Sequence, residues 1–174
     1  ELPNPVIPVW VIQRNISNNE LILHFTEVGD KLYLAKISSN KIDISVYDFD
    51  RLTKNRFQDF ADHIASASTD LFELHEITSL FKLDEIPSQY NSITVIPDNH
   101  LYRIPLDILP LSEPETSRSF GQVNYLIEKY DTRYFTSLQD FLENNRDTFG
   151  QKSTVDFSAS AISDFRSFDS QTLP

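Results

Sequence analysis

"SITVIPDNHLYRIPLDILP", from Ser92 to Pro110, decides how this chain is read. Ile93, Thr94, Val95 and Ile96 are β-formers in a nearly unbroken apolar run, the pattern of a strand covered on both faces rather than one. Pro97 has no N–H to give a ladder and so belongs at a strand end. Asp98 is able to bond forward to a turn backbone, and Asn99 is the residue after glycine that best tolerates a left-handed conformation. Leu101, Ile104 and Leu106 then resume apolar contacts. A carboxylate and an imidazole two residues apart, Asp98 and His100, raise the alternative of a catalytic loop. Nothing beside them has the pattern of a nucleophile elbow, and the chain holds no cysteine. The stretch reads as a buried strand followed by a turn.

Upstream, three alternating segments lie close together: Asn19 to Val28, Lys31 to Ser38 and Lys41 to Asp48. In the second, Leu32, Leu34 and Lys36 share one face while Tyr33, Ala35 and Ile37 share the other. Gly29-Asp30 and Ser39-Asn40 supply turn chemistry between them, which predicts an antiparallel meander. Phe57, Phe60, Ala61 and Ile64 then fall on one stripe of a helix from about Asp50 to Ala65. A second helix starts near Asp70, which has Glu73 three residues on. It carries Leu74, Ile77, Leu80 and Phe81 inward until Pro87. Downstream, residues 125–144 read as strand then helix, with Thr136 and Gln139 as a capping box and Leu138, Phe141 and Leu142 as the buried stripe. The head carries three prolines in its first eight residues, and residues 1–18 are expected to be an extended arm or linker end. Near the end, Thr154 to Phe157 reads as a strand. Phe157, Ile162, Phe165 and Phe168 then stand among Ser and Asp in a segment suited to lie against another surface.

The 174 residues are enough for one packed domain, and a net charge of −11 with no Lys/Arg run argues against nucleic acid or an anionic membrane as partner. No stretch reaches about 18 apolar residues. Without cysteine there are no disulfides, thiolate metal sites or cysteine nucleophiles, and a reducing compartment, the cytoplasm, fits. Methionine is absent even at position 1, so the chain is expected to be a piece of a longer product. His24, His63, His75 and His100 show no metal-ligand spacing. Asp48, Asp50, Asp59, Asp62, Asp84 and Glu85 are scattered as on a solvated face, although a carboxylate hydrolase would draw on such residues. Three glycines in the whole chain cannot build a phosphate-cradling loop. No catalytic, cofactor-binding or metal-binding residue is assigned, and no cofactor is expected.

Three segments in order resemble the front half of the CHAT family, caspase-like domains often found beside tetratricopeptide repeats. "LILHFTEVGDKLYLAKIS" (residues 21–38) is similar to the family's "leyf…drlyvfvi" strand pair. "ITVIPDNHLYRIPLDIL" (93–109) is similar to "lvivPDG-L--lPFeaL", and "YLIEKYDTRYFTSLQDFL" (125–142) to "YLiery-i-yapS---L". Asn99 stands where the family usually has glycine, and Leu106 replaces the usual aromatic. The family's catalytic His, in an "H-G" turn, and its Cys, in an "S-A-C-E" strand end, have no counterpart here, so no catalytic residue carries over. Leu173-Pro174 resembles the opening of the family's "LPgA…E" segment.

The resemblance implies an α/β, caspase-like sandwich with a mixed sheet flanked by helices and an N-terminal antiparallel meander, incomplete as a domain. Residues 19–158 would be an inactive pseudo-protease portion and 159–174 a connector toward an active-protease half. That half is the implied partner, with the tetratricopeptide-repeat region or another protein beside it. The implied role is to scaffold and regulate a cysteine peptidase whose catalytic half is not in this chain. The alternative is a free-standing α+β protein-interaction module.

Overall fold

The computed structural model describes residues 7–147. Five strands form one mixed sheet in the order β3-β2-β1-β4-β5: β1 (Glu20–Val28), β2 (Lys31–Ile37), β3 (Ile42–Asp48), β4 (Ser92–Ile96) and β5 (Asp131–Tyr134). β1, β2 and β3 are the antiparallel meander read from the alternation. Gly29 turns the first hairpin at φ +59, a left-handed backbone that glycine takes without strain. β4 runs parallel to both β1 and β5. The helices are α1 (Val9–Arg14), α2 (Arg51–Ala65), α3 (Leu71–Phe81), α4 (Leu126–Lys129) and α5 (Leu138–Asp147). The molecule is thus an α/β fold with a mixed sheet flanked by helices.

Alternation along the strands sorts the core into two layers. Leu21, Leu23 and Phe25 of β1, Leu32 and Leu34 of β2, and Ile93 and Val95 of β4 point toward α2 and α3, where they meet Phe57, Phe60, Leu71, Leu74, Ile77 and Phe81. Phe81, fully buried, packs edge-on against Phe25 and Tyr47 with ring centroids 5.1 and 5.5 Å away. On the opposite face Ile22, Ile37 and Ile96 meet Ile12 of α1 and Phe141 and Leu142 of α5. β4 is therefore covered on both sides, as its unbroken apolar run implies. Asp50 and Asp70 cap α2 and α3, each accepting the N–H three residues on at 2.9 Å.

Four local expectations are corrected. The prolines suggested an arm extended through residue 18, yet Val9–Arg14 are helical and bury Ile12 and, just beyond, Ile16. Pro8 sits at the helix start, where its missing N–H costs nothing. α3 ends well before Pro87: Lys82 adopts φ +51, reversing the chain so that Leu83 and Ile86 return to the core. Leu80 is 39% exposed because the inward stripe runs through Leu74, Ile77, Thr78 and Phe81, leaving Leu80 off to one side. Leu126 to Lys129 form a helical turn ahead of β5 rather than part of the strand. Thr154 to Phe157, the late phenylalanines and residues 159–174 lie outside the described residues, as do residues 1–6.

Candidate functional site

The turn after β4 is built as the residue types require, but its side chains work differently from the sequence reading. Asn99 has φ +44, the left-handed conformation expected of it, and opens a tight 3-10 turn through Arg103. Asp98 does not bond forward. Its carboxylate accepts the backbone N–H of Glu27 at 2.8 Å, tying the loop to the end of β1. Nor do Asp98 and His100 form a pair, because His100 Nδ1 lies 2.8 Å from the Glu27 carboxylate.

Glu27, which sequence reading passed over, is the hub. Lys54 of α2 reaches it at 2.9 Å and Asn99 donates to it at 3.0 Å. Burial alone would raise the Glu27 carboxyl; hydrogen bonds and charge from Lys54 and His100 outweigh that and hold it below the usual carboxylate range. The arrangement clamps β1, α2 and the β4 turn. It presents no nucleophile, and a carboxyl held ionised by Lys54 and its hydrogen bonds is poorly placed to donate a proton. Phe49 stacks edge-on to the His100 ring at 5.8 Å, further fixing the imidazole.

Beside the hub, at the carboxyl ends of parallel strands β1, β4 and β5, lies an open cleft of about 540 Å³ lined by His24, Asp98, Tyr102, Thr136, Ser137 and Gln139, among others. In open α/β sheets this is where ligands bind. Here the hydroxyls of Tyr102, Thr136 and Ser137 are engaged in structure. Ser137 Oγ accepts the Asp140 N–H at 3.0 Å, and Thr136 donates both its N–H and its hydroxyl to the Asp140 carboxylate. The cap of α5 is therefore Ser137 with Asp140, one residue on from the expected Thr136 and Gln139; Gln139 instead donates to Glu143. Burial lowers the His24 imidazole, with Asp98 opposing it, so His24 is a weakened base. No hydrogen bond joins it to either hydroxyl.

The other candidates are dispersed. His63 lies 3.2 Å from Glu73, and His75 sits elsewhere on α3. Asp48 pairs with Lys31, Asp50 caps α2 and Asp62 binds Arg103 at 2.6 Å. Asp48 and Glu85 each line a cleft, and the two clefts are different ones. Among the described residues no group of three His, Asp or Glu is placed to hold a metal ion, and no helix is long and apolar enough to cross a membrane.

A second hidden carboxylate is Glu20, 2% exposed at the start of β1, which accepts from Thr94 Oγ1 at 2.7 Å and Arg133 at 2.6 Å. It shares a face with Ile22 on a strand buried on both sides, and that parity is the signal that a partner was required. No protein-family model, curated protein or solved structure matches the chain.

Proposed function

We propose that this chain is the non-catalytic N-terminal portion of a caspase-like cysteine peptidase domain of the CHAT kind. It is one part of a caspase-like sandwich that scaffolds and regulates an active half of the same protein, working in the cytoplasm beside tetratricopeptide repeats or another protein. One observation carries the reading. The three segments that resemble the family fall on four adjacent strands, β2-β1-β4-β5, and Asn99, at the family's glycine position, takes the positive φ that position calls for. The described side chains also point to support rather than chemistry. The most polar clusters, around Glu27 and Glu20, lock elements together and leave no nucleophile beside a free base.

The test is a longer product that includes the sequence following Pro174. It should hydrolyse peptides, lose that turnover to a cysteine-alkylating reagent, and lose it when this portion is destabilised by a core substitution such as Leu23→Ala. The 174-residue chain alone should do none of this. A longer product without a Cys and His pair, or turnover by the chain alone that His100→Ala abolishes, would overturn the reading. The second reading, a free-standing interaction module, draws on one observation: Val28, Tyr33, Ile44 and Val46 are all exposed. Specific binding of a protein with no peptidase half would favour it.

A further inference from the structure

We infer that the β3 edge is a self-pairing site, at which a second copy of this chain adds its own β3 antiparallel to form one continuous sheet across a two-fold axis. β3 is the outer strand of the sheet, seven residues long, regular in register and without proline. Edge strands that stay single are usually blunted by proline, a bulge, shortness or charge; β3 has the last of these in Asp43 and Asp48, each of which is neutralised by a lysine of its own chain. The opposite edge, β5, has only four residues.

The hydrogen bonds show which groups are open. Ser38 N–H donates to the Lys41 carbonyl and Phe49 N–H donates to the Asp30 carbonyl, each at 2.9 Å. Lys41 and Phe49 therefore face β2, and backbone alternation turns Asp43, Ser45 and Tyr47 the same way. The N–H and C=O groups of Ile42, Ile44, Val46 and Asp48 point outward, and among the described residues no strand meets them.

The occupant follows from symmetry. Ser45 is the midpoint of β3, so a two-fold axis there pairs all seven residues. It sets Ile44 against Val46 of the other copy, Ile42 against Asp48, and Asp43 against Tyr47. No like charges meet, and each aspartate already has a lysine of its own: Asp43 with Lys41 at 2.7 Å, and Asp48 with Lys31. The side chains of Ile44 and Val46, 66% and 53% exposed, are the ones covered. They lie on the sheet face beside Ala35 and Tyr33 of β2, so pairing would join two apolar stripes into one.

The absence of cysteine makes the test clean. In the full 174-residue chain, Ser45→Cys places one thiol at the axis, in a non-hydrogen-bonded pair whose Cα separation of about 4.5 Å suits a disulfide. Mild oxidation should give covalent dimer roughly tenfold faster or more than Asn40→Cys in the neighbouring turn, because pairing raises the effective thiol concentration. Sedimentation equilibrium should show a monomer–dimer equilibrium that shifts toward dimer with added salt, since each copy carries −11. Val46→Pro removes an outward N–H and no bond to β2, so it should abolish the dimer and leave the melting temperature nearly unchanged. Monomer at every concentration with no preference for the Ser45→Cys crosslink would overturn the inference. So would a dimer indifferent to Val46→Pro, or an edge that takes only another protein's strand.

Discussion

β4 and β3 are both short strands built on Ile, Val and small hydroxyl residues, yet four of the five residues of β4 are buried and none of the seven of β3 is. The difference lies in spacing and place. β4 packs its apolar residues consecutively and sits between two parallel neighbours, with α3 on one side and α5 on the other. β3 alternates Ile42, Ile44 and Val46 with Asp43, Ser45 and Tyr47 and closes the sheet, so one of its faces carries apolar side chains that the described helices reach only at Ile42. One half of the sheet is closed and serves as scaffold; the other is open and serves as surface.

Ile93→Ala in β4 should cost about 2–5 kcal/mol, as cavity-forming core truncations do. Ile44→Ala in β3 should change stability by no more than about 0.5 kcal/mol. Urea unfolding with unchanged slopes measures both, and equal costs would mean that the outer face of β3 is covered after all. Next comes Glu20→Ala, which leaves the fully buried Thr94 hydroxyl without its acceptor. It should cost about 1–3 kcal/mol, and adding Thr94→Val should recover part of that in a double-mutant cycle.

Asn99→Val forces a β-branched residue into a left-handed turn and should cost about 1–2 kcal/mol. Asn99→Gly relieves the backbone but gives up the bond to Glu27, so it should stay within about 0.5 kcal/mol of the wild type. Equal melting temperatures for the two variants would mean that the turn is not set by φ.

These contrasts also mark how far the sequence could be read. The meander, the double-sided burial of β4, the Asp70 cap and the turn at Asn99 all follow from neighbours a few residues apart, where period and turn chemistry act. α1 did not, because six residues are too few for a helical period to outweigh three nearby prolines. The left-handed stop at Lys82 has no glycine to announce it. The Glu27 hub was hidden because its partners, Lys54, Asn99 and His100, come from elements far along the chain that only the fold brings together. His100 was thus legible as a polar turn residue, while its partner was not.

The smallest effects are in pH. His24 is depressed below its ordinary 6.5 by burial, so the unfolded chain binds its proton more readily. Stability should fall as pH drops below about 6.5, and His24→Leu should flatten that region. Glu27 is depressed too, so its contribution is present above its ordinary 4.5 and is lost as pH falls through its lower folded value. Glu27→Gln should remove that second, more acid loss. A stability profile flat from pH 7 to 5 in the wild type would contradict the burial of His24.

Residue-resolved amide exchange tests the division between closed and open halves most directly. At low protein concentration, where any self-pairing is dissociated, Ile44 and Val46 should exchange at nearly unprotected rates. Ser45 and Tyr47, bonded to β2, should be protected, and Thr94 and Val95 should be among the slowest amides of the chain. Protection of Ile44 and Val46 equal to that of Ser45 under those conditions would show that the β3 edge is already occupied, and would contradict that division.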